Sequence, residues 1–463
     1  MSPNLLTPEA RRENAAALAS ALGLNLHDAA EALDLEIAIT ADPADAVAQQ
    51  IAREFSELLS RTVRRISESH VEGNVAAELV IGCAAPRTHG VKLYLDVRDD
   101  HASISGKASA ATCALIPSIL ALLIACYASA ATLYHALGGV LPFELPEPWV
   151  LRFYQLGIDL TSLGQPIDLG HTYMAGAGAI GNGFLWAARH LDLRGQLDIV
   201  DDDHVNSGNL NRQVWFNVDD ISQPKVDRLA ERAQPLFPRL VLFPRQFRLQ
   251  DLPEKSESAW LRRLIVAVDS RRARRQLQNE FPGEVFDAST TDIREVVLHH
   301  HVQPTAQACL SCIYEPDDEE LSREQHIAEH LGVSLDDVRS ERVSTPVAQV
   351  IVSRFPSLVA ADLVGMAYDS LFKRLCAEGQ LRTSAGRRIV APFAFVSVLA
   401  GTLLALDVVR WLGKGNGARD FNYWRVSAWH PPLGRRRILR PREPRCAFCG
   451  NPVLMKVNDA MWR

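Results

Sequence analysis

Acidic and basic residues are missing from one long stretch of this chain: between Ala108 and Phe143 there is no Asp, Glu, Lys or Arg. Such a run is long enough to span a bilayer. It is rich in Ala, Ser and Thr, contains Pro117 and His135, and has no flanking basic clusters. That composition favours a helix buried on all sides inside a large protein, and no membrane partner is expected. Cysteine is sparse: eight in 463 residues cannot form a disulfide scaffold, which points to a reducing, cytoplasmic setting. A strong excess of one charge is also absent. The formal net charge of -6 gives no global reason to expect nucleic-acid binding. Only Gly434 to Arg445 is locally basic, and it reads as a solvated segment. The N-terminus MSPNLLTPEARRE lacks the basic-then-apolar order of a secretory leader.

What is present is enough apolar sequence, 47%, to bury two domains or one composite one. The expected division is residues 1–150 and 151–463, separated by the proline-bearing link LPFELPEPW. In the first part, residues 8–70 read as helices from apolar spacing, then AELVIGCA and VKLYLDVRD read as strands, and the uncharged run as a long helix ending at Gly138-Gly139. The second part alternates strand and helix: HTYMA, NGFLWAARHL, GQLDIVDDD, LVLFPRQF, LRRLIVAVDS, EVFDAST and IREVVLHHHV. This predicts an α/β fold with a doubly wound, mostly parallel, Rossmann-like sheet. A second uncharged helix, IVAPFAFVSVLAGTLLAL, mirrors the first. The pairing suggests two related units, with the helix-rich first one lacking the glycine loop. A shared need for central buried helices explains it equally well.

Gly176, Gly178 and Gly181 form G-A-G-A-I-G at a strand-to-helix junction. Glycines there permit a tight turn and close backbone approach, and the helix N-terminus favours phosphate charge. The next strand ends at Asp201, positioned to accept ribose hydroxyls, with Asp202 and Asp203 as competitors. Nicotinamide enzymes share this much. They do not need several cations over the phosphates, whereas cleavage between the α- and β-phosphates does. Arg212 and Lys225 are candidates to supply those cations, with Asn209 as a polar clamp. Asp269 closes the strand LIVAVDS, where a magnesium ligand would sit.

From Tyr173 to about Ala288 the chain resembles the adenylation domain of the ThiF/MoeB/HesA and ubiquitin-activating enzymes. The resemblance rests on GAGAIGN, IVDDDHVNSGNLNRQ, QPK and VDSRRARRQLQ. It implies ATP binding by Gly176, Gly178, Gly181 and Asp201, phosphate contacts from Asn209, Arg212 and Lys225, and Mg2+ binding by Asp269. In that family the C-terminal carboxylate of a ubiquitin-like protein attacks the α-phosphate, pyrophosphate leaves and an acyl-adenylate remains. Gly208 departs from the usual family motif but leaves the Asn-to-Arg spacing intact. Because a large N-terminal region precedes that domain, the chain most resembles the versions found in bacterial ubiquitin-like conjugation operons. That resemblance implies an internal pseudo-dimer or a homodimer, a ubiquitin-like partner, a conjugating-enzyme-like partner, and an arginine reaching the ATP phosphates from the first part.

Cys309-Leu-Ser-Cys312 and Cys446-Ala-Phe-Cys449 have the spacing of a structural tetrahedral Zn2+ site. Between the pairs, Asp317 to Arg388 reads as a helical insertion carrying one cysteine, Cys376. It is either a thioester-forming nucleophile, helped by Lys373 and Arg374, or a core residue one turn from Phe372. Cys83, Cys113 and Cys126 read as packing residues, and His299 to His301 as a polar edge strand. The activity expected is ATP-dependent adenylation of a ubiquitin-like protein, with thioester transfer if Cys376 reacts. The alternatives are an adenylyltransferase for a sulfur-carrier protein and, more distantly, a nicotinamide-dependent oxidoreductase.

Overall fold

A computed structural model describes residues 6–463 except 69–73, 110, 317, 341, 367, 369–370, 373–374, 376–391 and 414–419. Within it the alternating patterns resolve into two sheets. The first holds β1 (Glu36–Ala41), β2 (Arg65–Ser67), β3 (Ala77–Ile81), β4 (Val91–Val97), β5 (His101–Ser105) and β6 (Trp149–Arg152), in the order β2-β1-β3-β4-β5-β6. The second holds β7 (Ile167–Ala175), β8 (Leu193–Val200), β9 (Leu240–Arg245), β10 (Arg263–Val266), β11 (Glu284–Thr291), β12 (Glu295–Val302), β13 (Tyr423–Ser427) and β14 (Arg437–Ile438). Its order is β14-β13-β12-β11-β10-β7-β8-β9. Both are parallel through their centres and turn antiparallel on one side: β4 pairs β5 as β11 pairs β12.

Helices α1 (Pro8–Leu22), α2 (Leu26–Ala32), α3 (Ala46–Leu59) and α4 (Ser118–Ala136) belong to the first part. In the second, α5 (Ala179–Ala188), α6 (Lys225–Ala233) and α7 (Arg271–Gln278) follow β7, the β8 crossover and β10. The short α8 (Leu310–Ile313) carries the first cysteine pair. Next come α9 (Asp318–Leu331), α10 (Leu335–Arg339), α11 (Thr345–Arg354) and α12 (Ala360–Leu363), then α13 (Ala394–Leu412) and α14 (Pro452–Trp462).

The two uncharged runs become α4 and α13, which touch each other and their own sheets. Protein covers 83% of the apolar window in α4 and 89% of that in α13. The apolar surface is therefore satisfied by a core that runs through both sheets. Gly401 of α13 lies against Gly183 of α5, and a Cβ on Gly401 would stand 2.1 Å from the Gly183 carbonyl carbon. Only paired glycines let these helices approach so closely. Helices α9 to α12 pack over an apolar cluster that includes Ile327, Leu331, Val338, Ile351 and Phe372.

Three expectations need correction. Residues 8–70 are not helical throughout: β1 lies between α2 and α3 and is buried at Glu36, Ile37, Ala38 and Ile39. A strand buried on both faces loses its alternation and merges with neighbouring helical spacing. The His299–His301 strand is not an edge: β12 lies between β11 and β13, and all three rings are buried. His299 Nε2 meets Ala308 O at 2.9 Å, and His300 meets Glu284 at 3.3 Å and stacks on Trp411. Burial pushes His299 down to about 3, so a neutral imidazole occupies the core. Of the three cysteines read as packing, Cys126 is buried and Cys113, half-buried, packs against the same core, but Cys83 is exposed.

Candidate active site

Strand β7 ends at Ala175, and the chain turns through Gly176-Ala177-Gly178 into α5. Gly176 adopts φ 104°, and a Cβ there would lie 2.7 Å from Ala267 O. A Cβ on Gly181 would meet Gly176 O at 2.2 Å, whereas one on Gly178 would meet nothing within 4 Å. Two glycines thus close the turn, and the third leaves open space at a helix N-terminus. Gly178, the N-cap, offers no side chain to the first amides of α5. Asn182 steadies the turn from within the helix, donating to Ala177 O at 2.9 Å and Gly178 O at 3.0 Å.

The three aspartates after β8 take different partners. Asp201 faces the turn: Oδ2 accepts from Ala177 N at 2.7 Å and Oδ1 from Asp203 N at 2.9 Å. Asp203 pairs with Lys225 Nζ at 2.9 Å. Asp202 pairs with Arg342 of the insertion. Burial pushes the Asp201 carboxyl up, with Lys225 opposing it. Burial alone would lower the Lys225 ammonium, but Asp201, Asp203 and Asp269 together hold it above its ordinary value. Asp269, exposed beyond β10, acts on Lys225 and on Arg212. Hydrogen bonds thus join the glycine turn, Asp201, Asp203 and Lys225, and the charge of Asp269 reaches Lys225 and Arg212. Asn209 is half-buried in the same crossover, its Oδ1 accepting from Asn206 N.

Sequence reasoning missed two sets of polar residues. Arg274 is buried, pairs with Asp287 and donates to Ala288 O at 2.8 Å; Tyr314 also donates to Asp287, at 2.6 Å. This cluster underlies the strand ends beside Asp269, which acts on Arg274. The second set comes from the first sheet's helices and grips the 205–216 crossover. Arg61 donates to Leu210 O at 2.7 Å and Val214 O at 2.9 Å, and Thr7 donates to Ser207 O at 3.0 Å. Neither Arg61, one of three arginines in SRTVRRI, nor Asn14 stands out by local pattern. Arg61, an arginine of the first part that reaches the second, thus binds backbone carbonyls there.

The four paired cysteines converge. Sγ–Sγ separations are 3.7 Å for Cys309–Cys312, 3.8 Å for Cys309–Cys446, 3.7 Å for Cys312–Cys449 and 3.3 Å for Cys309–Cys449. Four sulfurs at about 2.3 Å from a tetrahedral zinc would stand about 3.8 Å apart, so the quartet fits that ion. Cys376 lies outside the described residues.

A model of the ThiF family matches residues 165–448, and a model of the E1 N-terminal domain matches residues 8–159. The uncharacterized protein y4jF of Sinorhizobium fredii is 29% identical over 267 residues, 54% of this chain and 51% of that protein. The sulfur carrier protein ThiS adenylyltransferase of Escherichia coli is 28% identical over 180 residues, 38% of this chain and 63% of that protein. The human ubiquitin-like modifier-activating enzyme 7 is 35% identical over 88 residues, 18% of this chain and 9% of that enzyme. The chain therefore spans about half the length of the first of these relatives and less than two thirds of the others. Among solved structures, E. coli MccB with ATP is 16% identical with a TM-score of 0.37, covering 64% of this chain and 68% of that one.

Proposed function

This chain belongs to the ThiF family, and we propose that it adenylates the C-terminal carboxylate of a ubiquitin-like protein with ATP. The carrying observation is a hydrogen-bonded path: Asp201 accepts from Ala177 N of the glycine turn at 2.7 Å and from Asp203 N at 2.9 Å, and Lys225 Nζ donates to Asp203 at 2.9 Å. In this reading Gly176, Gly178 and Gly181 admit the phosphates to the N-terminus of α5, and Asp201 takes the ribose. Asn209, Arg212 and Lys225 bind the phosphates, and Asp269 would hold Mg2+, which would offset phosphate charge when bound. The partner's carboxylate oxygen forms the new P–O bond at the α-phosphorus as the α–β bridging bond breaks. Pyrophosphate departs with the negative charge that Lys225 and Arg212 face.

The first part serves as an inactive, adenylation-like half, making the chain its own pseudo-dimer. Arg11 and Arg12, exposed on α1 beside Glu13, are its candidates for reaching the phosphates. Glu13 itself stands 4.0 Å from Arg212. Cys376 is the candidate thioester nucleophile of the insertion, with a conjugating-enzyme-like protein as acceptor. The E. coli relative supports a second reading, in which the carrier is a sulfur-carrier protein. Cys376→Ala separates the two: loss of a reducible adduct with intact adenylation supports the first, and an unchanged adduct rejects Cys376.

The test is ATP–pyrophosphate exchange. We expect exchange that depends on a small carrier protein ending in a free carboxylate. Reduction of a nicotinamide without exchange overturns the proposal. The cysteine quartet is proposed to hold one Zn2+ in a closed structural role. Metal analysis should find about one zinc per chain and none in Cys309→Ser; zinc retained by that variant rejects the assignment.

A further inference from the structure

We infer that Asn14 and Arg61 are positioning residues that set the phosphate-binding loop of the opposite half, acting on Arg212 through Asn211. This rests on the adenylating function proposed above. The path is continuous. Asn14 Nδ2 donates to Arg61 O at 2.7 Å, and Asn211 Nδ2 donates to Asn14 Oδ1 at 2.8 Å. Arg212 Nη1 then donates to Asn211 Oδ1 at 2.8 Å and to Gly208 O at 3.1 Å. Asn14 and Asn211 are buried at 1% and 0% exposure, so neither amide can exchange these partners for water.

Arg61 supplies the backbone half of the device. Its guanidinium, in a side chain 2% exposed, spreads over the carbonyls of Leu210, Val214 and Phe216 and pairs with Glu57 at 2.8 Å. A planar fork can hold several carbonyls in a fixed mutual arrangement, which one lysine ammonium cannot reproduce. The crossover 205–216 carries no α-helix or sheet strand of its own to fix it. Without the clamp, Arg212 would hang from a loop whose carbonyls have lost their donors. Arg61 and Asn14 touch no substrate in this account; they pre-order the residue that does.

The test uses the full chain in two readouts. The first is ATP affinity in the presence of Mg2+, measured calorimetrically for Asn14→Leu in the native and the Arg212→Ala backgrounds. We expect weakening of about tenfold in the native background and of less than about twofold once Arg212 is gone. Equal factors in both backgrounds overturn the inference. The second is amide hydrogen exchange over 205–216 without nucleotide, which should speed up in Asn14→Leu and stay unchanged in the control Arg64→Ala. Unchanged exchange in Asn14→Leu also overturns it. Should Asn14→Leu fail to fold, Arg61→Lys takes its place in both readouts with the same expected pattern. A native chain that binds no ATP removes the proposed function, while the exchange measurement still decides whether the clamp orders the loop.

Discussion

Six strands of the second sheet, β8-β7-β10-β11-β12-β13, repeat the order of the first, and the two frames part at the turn after the leading strand. After β7 the chain runs Gly176-Ala177-Gly178 into α5; after β1 it runs Asp42-Pro43-Ala44-Asp45 into α3. In α3 the N-cap is Asp45, whose Oδ1 accepts from Ala48 N at 2.9 Å and whose Oδ2 accepts from Cys113 N at 2.7 Å. The first helix therefore fills its own anion position with its own carboxylate, and Asp42 adds a second negative charge beside it. In α5 the glycine cap leaves that position open. A cleft of about 370 Å3 survives at the ends of β1 and β3, lined by Thr40, Asp42, Glu68 and Arg87. Two carboxylates against one guanidinium leave its lining without the net positive charge that a phosphate would need. Under the function proposed above, one frame serves as an anion site or as a strut, depending on which group caps one helix.

The sharpest way to break this comparison is to remove one charge beside each turn. Lys225→Met should cut exchange by about 10²–10³ in rate. Glu68→Gln, the first residue after β2 as Asp201 is after β8, should leave it within about twofold of native. A comparable loss in Glu68→Gln would mean that the first cleft takes part in the reaction.

A smaller effect separates the helix pairs. Neither α3 nor α4 contains glycine, whereas α5 and α13 meet at Gly183 and Gly401. Gly401→Ala should cost about 2–3 kcal/mol in a denaturant titration, because the added methyl meets backbone and cannot be relieved by a rotamer change. A neutral result would show that the helices separate without loss.

The smallest effect concerns the contact between halves. Glu54 on α3 accepts from Trp186 Nε1 at 2.9 Å, meets His190 at 3.2 Å and pairs with Arg189 on the α5 side. Burial raises its carboxyl, but His190 and Arg189 outweigh that and hold it below 4.5. A depressed carboxyl contributes stability that is full above its unfolded value and fades as pH falls through its folded value. Native protein should therefore lose thermal stability below about pH 4.5, and Glu54→Gln should remove part of that slope. An identical acid profile in the variant would place the acid sensitivity elsewhere.

Much of this was legible from residue order. G-A-G-A-I-G announced a turn and helix start because only glycine tolerates the close backbone approaches at Gly176 and Gly181. The C-x-x-C pairs announced a quartet because two short spacings give each pair one geometry. Both signals are local, and local chemistry survives in sequence. β1 was hidden because a doubly buried strand loses its period, and the histidines of β12 misled because a neutral imidazole can be buried where a charged one cannot.

The sequence by itself determined the strand–helix alternation, the glycine turn and the cysteine spacing, since each depends on residues near one another along the chain. Only tertiary structure decided which of three adjacent aspartates faces the turn, and that Asn14 and Arg61 reach residues 205–216. The reason is physical: a buried polar group takes whichever partner the packed elements bring to it, and that partner can lie anywhere in the chain.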